Sequence, residues 1–565
     1  MQDTTLSLHL GQVSYDQLPL NPPGSEDSKG MRLSGAIRIA CPFFYALDLE
    51  SEMDELSIYT MSRIKKRSIT KILIANRGEI AIRIIRTARE MGIATVAVYS
   101  DVDSEAPHVM AADEAILIGT APSSESYLLT DRVIEAAIKT GADGIHPGYG
   151  FLSENAEFAK AVENAGIAFI GPEAKSIKTM GDKLEAKEAV MARNIPLVPG
   201  TDGAISNPEE ALLEAEKIGI PLIIKASAGG GGKGMRSVFK QEDVKEELAR
   251  AISEAERSFS DGSVFMERLV LKPRHIEIQI LADSHGNIIH LFERECSIQR
   301  RHQKVIEEAP SVLLDEKLRN EMGECAKEVA RSCNYIGAGT VEFLVDQDNN
   351  FYFLEMNTRL QVEHPVTEFI TGVDIVKEQI RIAEGKPLSY SQEDLCINGH
   401  SMELRVYAED AAAGFLPGTG ILKKYSPPVG TGIRVDDGVS EGDEISIHYD
   451  PMLSKLIVHA ATREACIERM ILAIDNYEIR GVKTTLEFGR FAVDHEVFRS
   501  GVYDTGFIKD YFSPEKLIRD LPVEENVFAK LVSELYDRIL DERRELSKEA
   551  ILNENRSNWR NREER

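Results

Sequence analysis

The chain has 565 residues, 43% of them apolar and 28% charged, which is the make-up of an ordinary globular protein of about three to four domains. Its net charge of −27 repels phosphate backbones and argues against general nucleic-acid binding, and no apolar stretch reaches the roughly 20 residues of a membrane span. Six cysteines, at 41, 296, 325, 333, 396 and 466, form no CxxC or other zinc spacing, which points to a reducing, cytoplasmic compartment.

Residues 1–69 hold Asn21-Pro22-Pro23-Gly24 and show no sustained period, so they read as a disordered extension. Met61, just ahead of the basic stretch Arg63–Arg67, is a candidate for the true start. From residue 70 the pattern changes. Lys71–Ala75 is a short apolar run, Asn76-Arg77-Gly78 turns the chain, and Ile80, Ile84, Ile85, Ala88 and Met91 follow at helical spacing. Ala94–Tyr99 is apolar again, so a strand, a helix and a strand form a βαβ unit. The pattern continues to about residue 183 and predicts an open α/β domain over 70–183.

The middle of the chain, 184–385, reads as α+β. In His275–Leu281, Ile276, Ile278 and Ile280 alternate with His275, Glu277 and Gln279; Asp283–Asn287 turns, and Ile288–Phe292 returns. A second hairpin is predicted from Thr340–Val345 and Phe351–Met356 around Asp348-Asn349-Asn350. Residues 386–512 form a further segment, and 513–565 read as a charged, largely helical surface tail.

Four clusters carry chemistry. Between Lys225 and Gly234 an apolar strand enters a four-glycine loop with a lysine at each end. Glycines let backbone N–H groups approach phosphate oxygens, and the lysines add charge. It is not a Walker A loop, because Gly234 stands where Ser or Thr should follow Gly-Lys. Glu355 and Asn357 share one face of a strand and Glu342 lies on its hairpin partner, three oxygen ligands suited to Mg²⁺. Arg359, Gln361 and Glu363 continue at a spacing of two, a pattern that can hold a small oxyanion beside a carboxylate base. Gln299–Lys304 is a basic cluster in an acidic chain. Gly148–Ser153 starts like a dinucleotide fingerprint but lacks the third glycine, so NAD binding is rejected. Together these suggest an enzyme that binds ATP and Mg²⁺ outside a P-loop and activates a small oxyanion.

The same residues resemble the biotin carboxylase family of the ATP-grasp superfamily, from about Lys71 to about Gly501. The matching runs include KILIANRGEIAIRI at 71–84, HPGYGFLSEN at 146–155, MGDK at 180–183, KASAGGGGKGM at 225–235, PRHIEIQ at 273–279, ERECSIQRRHQKVIEEAP at 293–310, EMNTRLQVEHPVTE at 355–368 and YDPMLSKL at 449–456. The resemblance implies a fold of α/β and α+β parts in three pieces: an open α/β N-terminal domain, an ATP-grasp domain with a glycine-rich lid, and a C-terminal α+β domain.

It further implies that Lys183, Lys225, Gly231, Gly232, Glu267, His275, Gln299 and His302 serve ATP, and that Glu342 and Glu355, with Asn357, hold Mg²⁺ or Mn²⁺. Lys304, Arg359, Gln361 and Val362 are expected to hold bicarbonate, Glu363 to be its base, and Arg405 to stabilise the biotin enolate. Biotin is expected to arrive as a substrate on a separate carrier protein, because no Met-Lys-Met biotinylation motif occurs. A carboxyltransferase subunit and a second copy of the chain are the other expected partners. A subunit of a two-chain pyruvate carboxylase, or another ATP-grasp ligase joining a carboxylate to an amine, is the alternative reading.

Overall fold

The computed structural model describes residues 66–517, except 202, 206, 228–234 and 260, together with 531, 532, 535, 536, 538 and 539. The expected extension up to residue 65, most of the tail, and the glycine loop with Gly231 and Gly232 lie outside the described residues.

The first domain begins as its apolar runs dictate. β1 (Lys71–Ile74), α1 (Gly78–Glu90) and β2 (Ala94–Ser100) form the βαβ unit, followed by β3 (Glu114–Gly119), β4 (Gly144–His146) and β5 (Ala168–Phe169). The strands are parallel in the order β3-β2-β1-β4-β5. Ile72, Leu73 and Ile74 are wholly buried, because helices cover both faces of such a sheet and leave no polar side. The stripe Ile80, Ala81, Ile84, Ile85 and Ala88 on α1 packs into a core that also takes in Leu281, Leu291, Val376 and Ile380 from later in the chain. The first domain is thereby joined to the next through its helix.

A small antiparallel sheet follows, with β6 (Leu222–Ala226) between β7 (Met235–Val238) and β8 (Val264–Arg268). Lys225 is the last lysine before the glycine loop that joins β6 to β7.

The largest sheet has eight antiparallel strands. They are β9 (Arg274–Ala282), β10 (Ile288–Arg300), β11 (Gln303–Ala309), β12 (Gly337–Val345), β13 (Phe351–Asn357), β14 (His400–Tyr407), β15 (Ile433–Asp437) and β16 (Met452–Ala460). Their order is β13-β12-β9-β10-β11-β14-β16-β15. The pairing of Ile306 with Leu404 and Glu308 with Met402 carries the sheet without a break from the middle of the chain into its C-terminal part.

Three differences from the sequence pattern have physical causes. The alternation in β9 does not separate core from solvent: all nine residues are buried. Ile276, Ile278 and Ile280 pack with Met322, Ala326 and Val329 of the helix Glu316–Ser332, while the polar face is covered by the rest of the site. β10 runs on to Arg300, well past Phe292, with irregular register between His290 and Glu293 and between Glu295 and Ile298. Such bulges bend and twist a long strand. Finally, Arg359, Gln361 and Glu363 are not a strand. The chain leaves β13 at Asn357, turns, and enters helix α2 (His364–Thr371) with Glu363 at its N-cap and Pro365 in its first turn. The proline suits a helix start and not a strand interior.

No helix among the described residues is long and apolar enough to cross a membrane.

The C-terminal part presses on the start of α1 at Gly438. A Cβ there would stand 2.4 Å from the Glu79 backbone N and 2.7 Å from Gly78 Cα, both backbone atoms that cannot step aside. Gly438→Ala is expected to lower stability by about 1–3 kcal/mol, the range for overpacking. A urea-unfolding midpoint equal to the wild type's would contradict the tight contact.

Candidate active site

Register builds the site. Glu355 on β13 faces Glu342 on β12, Glu342 faces Glu277 on β9, and Glu277 faces Arg294 on β10. Paired residues on neighbouring strands point to the same side, so four charged side chains stand in a row on the polar face of the sheet. The next strand adds Lys304 and Glu307, and β14 adds Arg405.

Lys304 is the hub. Its Nζ donates to Glu342 at 2.8 Å and Glu363 at 2.7 Å, and makes a third, short contact with Glu277. Burial would pull this ammonium down, but the three carboxylates hold it charged, well above the usual lysine range. Glu363 is buried too. Burial favours its neutral form, yet Lys304, Arg405 and Arg294 outweigh this and hold it well below the usual carboxylate range. Arg405 reaches Glu363 at 2.9 Å and Glu307 at 2.6 Å.

Arg294 is wholly buried and organises the turn from beneath. It donates to Glu277, to Gln279 at 2.7 Å, to Thr340 and Thr367 at 3.0 Å, and to Gln361 Oε1 at 2.8 Å. Gln361 Nε2 in turn donates to Glu342 at 2.8 Å. The sequence reading assigned Arg294 and Glu277 no role. The signal was present in the quoted runs: an arginine inside β10 and a glutamate inside β9 on buried strands need partners.

The residues of the expected cation-binding trio, Glu342, Glu355 and Asn357, lie together at the β12–β13 pairing. Asn357 Nδ2 donates to Glu342 at 3.0 Å, and its Oδ1 accepts from Arg359 at 2.9 Å, so both amide atoms are engaged. Burial and the neighbouring Glu342 push the Glu355 carboxyl above its usual range, against the pull of Lys183. His275 Nε2 lies 3.0 Å from Glu342 Oε2 without hydrogen-bond alignment. His275, Glu277 and Glu342 bring ligand-type atoms within 4.8 Å of one another, but the Lys304 ammonium already sits on both carboxylates.

Arg359 turns to the first domain, where its Nε donates to Glu154 at 2.9 Å. Glu154 directly follows the Gly148–Ser153 stretch that was rejected as a dinucleotide fingerprint. The Val362 carbonyl accepts from Lys455 at 2.9 Å. A second cluster lies at the small sheet: Lys225 reaches Glu267 at 2.6 Å, Lys187 makes a short ion pair with the same carboxylate, and Lys183 reaches the Ala226 carbonyl at 3.4 Å. His302 is exposed at the β10–β11 tip, with a φ of +67°, and Gln299 donates back to the Cys296 carbonyl at 2.7 Å.

The family model for the biotin carboxylase N-terminal domain matches residues 68–177, that for the carbamoyl-phosphate synthase L chain ATP-binding domain matches 182–391, and that for the biotin carboxylase C-terminal domain matches 403–510. The biotin carboxylase of Halalkalibacterium halodurans is 50% identical over 441 residues, which are 78% of this chain and 97% of that one. The chain belongs to the biotin carboxylase family.

The propionyl-CoA carboxylase alpha chain of Ruegeria pomeroyi is 52% identical over 462 residues, and the human mitochondrial one 51% over 449. The matches cover 78% and 79% of this chain but 68% and 62% of those proteins. Among solved structures, the biotin carboxylase domain dimer of Hydrogenobacter thermophilus 2-oxoglutarate carboxylase, in complex with MgADP, ADP and bicarbonate, aligns with a TM-score of 0.78 at 47% identity, over 80% of this chain and 100% of that one. A Campylobacter jejuni biotin carboxylase complex aligns at 0.77 and 46%, over 79% and 99%. The chain is therefore a ligase of the biotin carboxylase type with that family's three-domain architecture. The eight-stranded sheet joins the region matched as ATP-binding to the region matched as C-terminal.

Arg294→Met would leave Glu277 and the Gln361 turn without their buried partner. The expected loss is about 3–5 kcal/mol, as for breaking a buried ion pair from one side. Denaturant unfolding measures it; a loss within 1 kcal/mol would mean that water or a rearranged turn takes over (about the size of a surface ion pair).

Proposed function

We propose that this chain carboxylates biotin, using ATP and bicarbonate and releasing ADP and phosphate, as the first half-reaction of an acyl-CoA carboxylase acting on acetyl-CoA or propionyl-CoA. The observation that carries the reading is the pair of cations, Lys304 and Arg405, clasping the single carboxylate Glu363. Such a pocket can take a small oxyanion against Lys304 and keep a base beside it.

Lys183, Lys225, Glu267, His275, Gln299 and His302 are assigned to ATP, with Gly231 and Gly232 closing over its phosphates. Glu342, Glu355 and Asn357 are assigned to Mg²⁺ or Mn²⁺, which would neutralise phosphate charge when bound. Lys304, Arg359, Gln361 and Val362 are assigned to bicarbonate. Glu363, as found, is a weak base, because Lys304 and Arg405 stabilise its ionised form. An anion that draws the Lys304 ammonium toward itself removes part of that stabilisation and raises the basicity of Glu363. Binding the substrate therefore prepares the base.

Deprotonated bicarbonate attacks the γ-phosphorus of ATP, ADP leaves, and carboxyphosphate forms. This breaks down to CO₂ and phosphate; the phosphate takes the ureido proton of biotin, and the enolate, facing Arg405, captures CO₂. The protein positions reactants and offsets charge, as phosphoryl transfer requires. Water must be kept out, because carboxyphosphate hydrolyses, and a closing glycine loop serves that end.

The proposed partners are a biotin carboxyl carrier, a carboxyltransferase and a second copy of the chain. The Hydrogenobacter domain, itself a dimer bound to MgADP and bicarbonate, supports the ligand set and the pairing. A cytoplasmic location is proposed from the scattered cysteines, which are free among the described residues, while some relatives are mitochondrial or chloroplastic. Propionyl-CoA carboxylase alpha chains among the relatives support propionyl-CoA as one acceptor.

ADP release should require bicarbonate and rise with free biotin when Mg²⁺ and ATP are present. Turnover indifferent to both would return the chain to the carboxylate–amine ligase reading. Glu363→Gln should cut turnover by roughly 10²–10⁴, the scale of a general base, with ATP affinity nearly unchanged. If turnover stays normal, the base lies elsewhere.

A further inference from the structure

Lys455 on β16 has a side chain with no solvent exposure, and none of the roles above uses it. Its Nζ donates to the Val362 carbonyl at 2.9 Å and lies 3.2 Å from Glu79 Oε2 on α1 and 3.8 Å from Asp436 Oδ2 on β15. One ammonium thus joins the first domain, the C-terminal part and the turn that carries Gln361, Val362 and Glu363.

The surrounding charges show what the lysine is for. Asp436 already has Arg434, at 2.9 and 2.6 Å. Glu403 on β14 and His364 on α2 also face the cluster. Burial pushes the Glu403 carboxyl well above its usual range, and burial with the nearby Lys455 pushes His364 well below its own. Glu79 accepts no hydrogen bond among the described residues, and its carboxyl is pushed up to about 7 by burial against the pull of Lys455. A buried ammonium is costly unless its donors are used, and an apolar side chain of the same length would fill the space without that cost. An apolar side chain lacks the directed bond to Val362 as well as the ion pair to Glu79.

That bond has a defined consequence. The Val362 carbonyl and the Glu363 N–H belong to one planar peptide, so holding the carbonyl sets the orientation of the plane from which Glu363 departs. His364 Nδ1 lies 2.8 Å from the Gln361 carbonyl, and Arg294 grips the Gln361 side chain. Without Lys455 the Val362 carbonyl loses its donor, and the orientation of this peptide rests on its neighbours alone.

We propose that Lys455 is a positioning residue for the bicarbonate turn: it pins the Val362 carbonyl, aims Glu363 at Lys304 and Arg405, and ties that geometry to α1 through Glu79. The inference rests on the proposed bicarbonate role of this turn and adds a residue from outside it.

The test is steady-state kinetics on the full chain with ATP, bicarbonate and free biotin. Lys455→Met should raise the bicarbonate KM by about tenfold or more, the scale of one charge-assisted hydrogen bond, while the ATP KM stays within about twofold. Lys455→Arg keeps a charged donor and should hold the bicarbonate KM within about threefold of wild type. A lysine that only stabilises the fold would lower kcat through a smaller active fraction and leave both KM values unchanged. That result, or an arginine variant as impaired in bicarbonate KM as the methionine one, would overturn the proposal. If Lys455→Met does not fold, because Glu79 is left unpaired, the double variant Lys455→Met with Glu79→Gln removes both charges and is read the same way. Wild-type turnover without any bicarbonate requirement would sink the functional reading and this inference together; an unchanged bicarbonate KM in an active variant sinks this inference alone.

Discussion

A buried ammonium shared by three carboxylates is the constraint around which the site is arranged. Lys304 sits on the covered face of an eight-stranded sheet, in contact with Glu277, Glu342 and Glu363. Removing that many charges from water is costly unless each is matched by partners at close range. Glu277 must therefore meet Arg294, Glu363 must meet Arg405, and Arg294 must use its remaining donors on Gln279, Thr340, Thr367 and Gln361. The geometry of the turn after β13 is largely the outcome of these matches.

The same constraint explains why the sheet is continuous. Lys304 comes from β11, Arg405 from β14 and Lys455 from β16, and these strands pair in sequence. A catalytic cluster built across a flexible joint would not hold side chains to a fraction of an ångström. A shared hydrogen-bonded ladder does so, and it makes the C-terminal part a wall of the site. On the opposite side, Glu154 and Glu79 bring the first domain into contact with Arg359 and Lys455. The small sheet with Lys225 and Glu267 is held by its own core, apart from the large sheet.

Much of this was legible in the chain. The run Lys71–Ile74, the stripe on α1 and the hairpin of β12 and β13 follow from apolar periodicity and turn residues, which act locally. The placement of Glu342 opposite Glu355 also followed, because a hairpin's register is set by its own turn. The spacing of two at Arg359, Gln361 and Glu363 is not that of a strand, because a period of two marks a strand only while the ladder continues. Here Pro365 and the start of α2 end it at Asn357. The alternation in β9 was read correctly as two faces, but that both would be covered was not a local matter.

The sequence by itself determined which segments become strands and helices, where the glycine loop lies, and which residue types can hold phosphate, cation and oxyanion. These depend on neighbours a few positions away. The tertiary structure alone decided that Glu277 and Arg294 belong to the site, that Arg405 and Lys304 converge on one carboxylate, and that Lys455 reaches the turn before it. Those pairings join residues from about 20 to about 100 positions apart. They arise from strand order and register in a sheet whose polar face is covered, and strand order is a property of the whole fold.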